Sequence, residues 1–185
     1  DPNALPESGK EAMTFGSDRE KKKAWKDIWG AGQGVGLGVA RAFAAEGARV
    51  VCANRTQESG EAAAAALVRD FSGKGADARF IRTDVSEKES LFELVEQTLS
   101  EFGTVDIVVN NAGILRDKSF KKMTLDEWDL VINVHLNGSA YVTWHAWPIM
   151  YEKNYGRVIF TSSVSGIMGS FGQSNYGAAK MGMVG

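Results

Sequence analysis

The stretch Gly30-Ala31-Gly32-Gln33-Gly34-Val35-Gly36-Leu37-Gly38 runs directly into the helical pattern Val39, Ala40, Phe43, Ala44. Glycines at this density let the backbone turn tightly and approach a pyrophosphate, which then rests on the N-terminus of the following helix. A glycine-rich turn alone is a weak signal. Here it is followed by the apolar run Val50-Val51-Cys52-Ala53, a helical stretch from 57 to 71 and a strand candidate from 78 to 83. A helix candidate from 87 to 102 and the buried-strand run Val105-Asp106-Ile107-Val108-Val109 come next. Short apolar strands alternating with longer helices predict an α/β fold with a parallel, doubly wound sheet in a single domain.

Further along, Ser174-Asn175-Tyr176-Gly177-Ala178-Ala179-Lys180 sets a tyrosine four residues before a lysine. Ser163 lies thirteen residues before the tyrosine, just beyond the apolar run Arg157-Val158-Ile159-Phe160-Thr161. On a helix, the four-residue spacing stacks the phenol and the ammonium on one face. A neighbouring positive charge favours phenolate, which suits a tyrosine to general acid or base work. A serine at a strand end is suited to hydrogen-bond a carbonyl or hydroxyl oxygen whose charge changes in a transition state. A Tyr and a Lys one helical turn apart are more often a surface pair, so the reading depends on the rest of the chain.

Taken in order and spacing, the glycine turn, Asn110-Asn111-Ala112-Gly113, Ser163 and Tyr176-Gly177-Ala178-Ala179-Lys180 closely resemble the short-chain dehydrogenase/reductases over residues 30–185. Within that family, Asn110-Asn111-Ala112-Gly113-Ile114-Leu115-Arg116-Asp117-Lys118-Ser119-Phe120 and Val134-His135-Leu136-Asn137-Gly138-Ser139 are similar to one branch. That branch is the (3R)-hydroxyacyl-CoA dehydrogenase domain of multifunctional β-oxidation enzymes, with its bacterial relatives. The resemblance implies a Rossmann-type fold, a homo-oligomer, and NAD(P)-dependent hydride transfer to or from a secondary alcohol or ketone. The leading substrates it implies are 3-hydroxyacyl and 3-oxoacyl thioesters of fatty acid metabolism, with carrier-protein-bound or steroid ketones as alternatives.

The resemblance also assigns roles. Ser163 would bind the carbonyl, Tyr176 would act as acid and base, and Lys180 would serve both the nicotinamide ribose and the tyrosine. His135 stands where most relatives carry an asparagine that holds a proton-relay water, and the acyl-CoA branch shows Val-His-Leu there too. A lone histidine in an apolar helix is more often a packing residue. Gly30, Gly32, Gln33, Gly34, Val35 and Gly36 are expected along the pyrophosphate, and Asp84 with Val85 at the adenine. Asn110, Ala112 and Gly113 are expected to line the cofactor past the fourth strand. Asp84 reads equally as a cap for the helix beginning near Glu87, and Asn110 as a tie between strands.

Cofactor choice turns on the end of the second strand, where an acidic side chain takes both ribose hydroxyls in NAD-specific dinucleotide folds. That place is held by Asn54, with Arg55 beside it. Asparagine does not repel a 2′-phosphate, and a guanidinium suits one. The pair tilts the expectation from NAD toward NADP, although the acyl-CoA branch generally uses NAD.

Two departures from the family pattern stand out. The strand before the glycine turn should be apolar, because it lies centrally in the sheet, yet Arg19-Glu20-Lys21-Lys22-Lys23-Ala24-Trp25-Lys26-Asp27-Ile28-Trp29 is strongly charged. The expectation is therefore a flexible leader over 1–16, an atypical charged segment over 17–29 and a partial oxidoreductase domain over 30–185, with an atypical first strand. Residues from about 17 to 34 faintly resemble the C-terminal end of nitronate monooxygenase-like flavoproteins. The family also continues past the catalytic helix through two further strands, so the chain reads as a fragment, and a non-catalytic remnant is the alternative to an enzyme.

Bulk properties fit one domain: 185 residues, 44% hydrophobic, and a formal net charge of −2 that makes no electrostatic bid for nucleic acid or anionic membrane. The single cysteine, Cys52, excludes an internal disulfide and reads as a buried thiol in the second strand. His135 and His145 stand far from any set of ligand-spaced partners, so no metal is expected. A cytoplasmic setting is the default, with a peroxisomal one as the alternative. Trp128, Trp144 and Trp147 fall on a long helical region from 124 to 151 and read as core or subunit contacts.

Overall fold

The computed structural model describes residues 11–15, 29–30 and 33–185, with side chains from residue 34 on. Five strands form one sheet: in spatial order Asp77–Arg82 (β5), Arg49–Asn54 (β4), Glu11–Phe15 (β1), Ile107–Asn110 (β6) and Arg157–Phe160 (β7). Every neighbouring pair is parallel. Parallel strands need crossover connections, and helices supply them: Val35–Ala45 (α1), Gln57–Phe71 (α2), Lys88–Phe102 (α3) and Gly138–Glu152 (α5).

The alternation of β4 shows how the two faces are built. Val50 and Cys52 pack with Ala40, Ala44, Ala63, Ala64 and Leu67 on the α1/α2 side. Val51 and Ala53 pack with Leu91, Leu94, Val95, Val142 and Ala146 on the α3/α5 side. Successive side chains of a strand point to opposite faces, so a sheet covered on both sides needs an unbroken apolar run. In α3, Leu91, Leu94, Val95, Thr98 and Phe102 are buried, a helical stripe on one face, and Gly103 at φ +81° closes the helix. Each fully buried Leu or Val contributes about 1.5–3 kcal/mol.

The central strand differs from expectation. Residues 11–15, read from sequence as part of a leader, pair with β4 on one side (Met13 with Val51) and β6 on the other (Met13 with Val108). A five-residue strand opening on Glu11, after a stretch with Pro2, Pro6 and Gly9, carries little intrinsic signal; strand propensity is set by the neighbours, and here two apolar strands flank it. Most of the charged segment, residues 17–28, lies outside the described residues, as does residue 16. Trp29–Gly30 (β2) and Gln33–Gly34 (β3) form a two-residue antiparallel ladder that leads into α1.

The long helical region from 124 to 151 is broken rather than continuous. Leu125–Ile132 (α4) starts on a capping box between Thr124 and Glu127, and a π-helical turn over Asn133–Asn137 joins it to α5. Trp144 and Trp147 are 68% and 58% exposed, so neither is a core residue of this chain. Trp128 is half-buried and meets Phe120 edge-on. Lys153, just past α5, pairs with buried Asp106, whose carbonyl accepts the Arg157 N–H and so ties β7 to the start of β6.

Candidate functional site

The expected cofactor residues gather at the C-terminal ends of the strands, where ligands bind in open α/β sheets. Gly30 lies in β2, Gln33 and Gly34 in β3, and Val35 and Gly36 open α1; Gly32 lies outside the described residues. Gly34 has φ +151°, a conformation L side chains rarely adopt, and α1 begins without a side-chain cap. Its first-turn N–H groups have no intrahelical acceptor and suit a phosphate.

Asn54 ends β4, and its Nδ2 donates to Ser59 Oγ at 2.7 Å while its Oδ1 accepts from the Arg55 N–H at 3.0 Å. Arg55 is exposed. Past β5, Asp84 Oδ1 accepts from the Ser86 N–H and hydroxyl at 3.0 and 2.6 Å, and Val85 follows it. Asp84 thus folds its own turn, while Lys88 opens the helix two residues beyond Ser86. Asn110 closes β6 and donates from Nδ2 to Thr143 Oγ1 at 3.2 Å, tying the strand to α5. Ala112 and Gly113 follow; a Cβ on Gly113 would stand 2.3 Å from His135 Cε1, so only glycine fits there.

The second cluster builds on Ser174–Gly182 (α7), which carries Tyr176 and Lys180 on one face. Lys180 is 3% exposed, and its Nζ donates to Thr161 O at 2.5 Å and sits 5.6 Å from the centre of the Tyr176 ring. Burial pushes its pKa down to about 8, so at neutral pH the ammonium is still mostly charged. Ser163 caps the short helix Val164–Met168 (α6), its Oγ accepting from the Ser165 N–H at 3.2 Å.

Packing between α6 and α7 depends on glycines. A Cβ on Gly166 would lie 2.9 Å from Lys180 backbone and Cβ, and one on Gly177 3.0 Å from Ser165 O. His135, 2% exposed in the π-helical turn, presents its ring edge-on to Tyr176 at 5.2 Å. Its Nε2 lies 2.9 Å from Ile114 N and 2.8 Å from Ile114 O, while Nδ1 is buried without a partner. Burial first, and the Lys180 charge second, lower its pKa to about 4, so the imidazole is neutral.

Tyr176, Lys180 and His135 are therefore brought together, and Ser163 is docked beside them through α6. Sequence reasoning passed over Thr161, Ser162, Gly166 and Gly177. Ser162 Oγ donates to Lys180 O at 2.8 Å, which holds the strand end against α7. The small residues in Tyr176-Gly177-Ala178-Ala179 carry that close approach in the sequence. Among the described residues no group of three His, Cys, Asp or Glu side chains is placed to hold a metal ion, and no helix is long and apolar enough to cross a membrane.

A family model described as short chain dehydrogenase matches residues 27–185. The chain belongs to the short-chain dehydrogenase family. It is 44% identical over 165 residues to peroxisomal multifunctional enzyme type 2 of Mus musculus, covering 85% of this chain and 22% of the mouse protein. It is 38% identical to a 3-oxoacyl-[acyl-carrier-protein] reductase of Synechocystis sp., covering 85% of this chain and 63% of that one. Among solved structures it is similar to NAD+-bound xylitol dehydrogenase, with a TM-score of 0.81 and 26% identity over 95% of this chain and 61% of that chain. The chain thus spans less than two thirds of the length of these relatives. Family membership carries the Rossmann-type fold and the oxidoreductase class.

Proposed function

We propose that this chain carries the cofactor site and the acid/base residues of an NAD(P)-dependent oxidoreductase that interconverts 3-hydroxyacyl and 3-oxoacyl thioesters. The observation that carries the reading is the buried Lys180 ammonium, pinned to Thr161 O and held 5.6 Å from the Tyr176 ring centre. The name of the Synechocystis relative, a 3-oxoacyl-[acyl-carrier-protein] reductase, supports the substrate class.

The nicotinamide, when bound, supplies the hydride acceptor or donor. In oxidation Tyr176 takes the substrate hydroxyl proton, and in reduction it returns that proton to the carbonyl oxygen. Ser163 Oγ accepts the Ser165 N–H, which leaves its own proton to donate to the substrate oxygen. Lys180 sets its buried ammonium 5.6 Å from the centre of the Tyr176 ring. His135 stays neutral beside the ring, and its unpartnered Nδ1 is the atom available for a proton relay.

For the cofactor we place NADP ahead of NAD: Asn54 carries no charge to repel a 2′-phosphate, and the exposed Arg55 follows it. The exposed Trp144 and Trp147 on α5 suit a contact between copies of the chain, in keeping with a homo-oligomer, and the setting we favour is the cytoplasm, with the peroxisome named for the mouse relative as the alternative.

The test is Tyr176→Phe, which removes the proton donor and keeps the ring. Oxidation of a 3-hydroxyacyl-CoA, followed by nicotinamide absorbance, should fall by roughly 100-fold or more while the cofactor dissociation constant barely moves. Near-normal turnover in the Phe variant would overturn the assignment.

A further inference from the structure

Residues 111–119 carry no regular secondary structure, yet the middle of this loop is fastened at three successive positions to the start of α7 and the turn just before it. The Lys118 N–H donates to Gly172 O at 2.9 Å, Gln173 Nε2 donates to Asp117 Oδ2 at 3.1 Å, and Asn175 Nδ2 donates to Arg116 O at 3.3 Å. The start of the same loop is held by the two contacts of Ile114 with His135 Nε2, and His135 is the residue that faces the Tyr176 ring edge-on. The loop is thus a strap whose two ends bear on Tyr176 from different sides.

Asn175 is the knot. It is 0% exposed, and its carboxamide is fully used: Nδ2 donates to Arg116 O and to Glu127 O at 3.2 Å, and Oδ1 accepts the Tyr176 N–H at 2.8 Å. The Tyr176 N–H belongs to the first turn of α7, where an amide has no intrahelical acceptor, so Asn175 supplies the one it needs. Glu127 in turn bonds Thr124 in the capping box and pairs with Lys118 Nζ at 2.5 Å, which couples α4 to the same strap. A buried side chain joined to three backbone groups of three segments specifies a geometry that apolar packing, being non-directional, does not.

The geometry points to Asn175 as a positioning residue: it joins the strap over 114–118, helix α4 and the start of α7 so that the Tyr176 phenol is held in one place. This rests on the acid/base role proposed for Tyr176. Asn175→Asp keeps the acceptor for the Tyr176 N–H but turns an oxygen toward the two carbonyl oxygens that the amide served. Gln173→Ala cuts the link to Asp117 and the hydrogen bond that Gln173 Oε1 accepts from Ser165 Oγ at 3.0 Å, and leaves the Asn175 contacts in place.

The experiment uses the full-length protein labelled with fluorotyrosine, whose Tyr176 fluorine resonance is assigned by its disappearance in Tyr176→Phe. Wild-type protein should give one narrow Tyr176 line; Asn175→Asp should shift or split it, and hydrogen exchange should quicken over 114–118. In steady state kcat should fall about 10- to 100-fold with the cofactor dissociation constant unchanged, because a small displacement of a reacting group costs that much. Gln173→Ala should produce the same changes to a smaller extent, and as a change at a partly exposed site it covers the case in which Asn175→Asp does not fold. Faster exchange of the strap with an unaltered Tyr176 line and unaltered kcat would overturn the proposal. If wild-type protein turned over no thioester, the functional reading would fail while the fluorine line still decided this one.

Discussion

The half of the sheet that carries the glycine turn and the half that carries Tyr176 are held by different forces. Around β4 and β6 every strand side chain from Val50 to Asn54 and from Ile107 to Asn110 is buried, with apolar helices above and below. Around β7 Val158 packs on the core, while in this chain, which spans part of its relatives' length, Ile159 and Phe160 are 44% and 40% exposed, and Val164, Ile167, Met168 and Phe171 more so. What the second half adds is polar: Ser162 to Lys180, Lys180 to Thr161, Asn175 to Arg116 and Glu127, His135 to Ile114. Apolar burial fixes how much is packed; hydrogen bonds fix where atoms stand. A cofactor platform needs the first, and a proton donor needs the second.

The sharpest way to break this contrast is in the apolar half. Leu94, fully buried in α3, should lose about 2–5 kcal/mol of stability on truncation to Ala, read as a lowered urea midpoint. Turnover per folded molecule should change less than stability, since Leu94 packs in the apolar cluster of α3 and none of Ser163, Tyr176, Lys180 and His135 lies on that helix. A large loss of kcat at unchanged stability would contradict the division.

In the polar half, acid should act through His135. Its folded pKa, about 4, lies below the ordinary histidine value near 6.5, so between those limits the unfolded chain binds more protons than the folded one. Stability from this residue is therefore complete above about pH 6.5 and is lost as pH falls toward 4, by about 3 kcal/mol in all. Urea titrations across that range should show a shallower loss for His135→Asn than for the native residue. Equal slopes would show that His135 does not stay neutral against Tyr176 and Lys180.

The smallest effect is expected at Asn54, a polar knot in the otherwise apolar half. Asn54→Asp brings a charge that repels a 2′-phosphate and accepts ribose hydroxyls, so the ratio of kcat/KM for NADP to that for NAD should fall by roughly tenfold, about 1.4 kcal/mol. An unchanged ratio would show that position 54 does not face the adenosine ribose.

Strand and helix alternation from 49 to 110 was legible in the residues because those segments are buried on both faces or along one stripe, and burial writes itself as unbroken or periodic apolar runs. The helix over 57–71 and the strand from 157 stand where the spacing predicted them. The approach of Tyr176 to Lys180 was legible because a four-residue spacing puts both side chains on one face of α7. The strand at Glu11–Phe15 was not: its place depends on two partners from distant parts of the chain, and five residues of its own carry too little pattern to announce them. Asn175 was equally silent. It stood in plain sight beside Tyr176, but an asparagine's value lies in the carbonyls that surround it, and only folding brings Arg116 and Glu127 to its amide. Apolar periodicity is a local property, so the sequence alone determined the layers and the face of the helix that Tyr176 and Lys180 share. Directional polar contacts join residues dozens of positions apart, so the tertiary structure alone decided which strand stands at the centre and which carbonyls surround Asn175 beside the tyrosine.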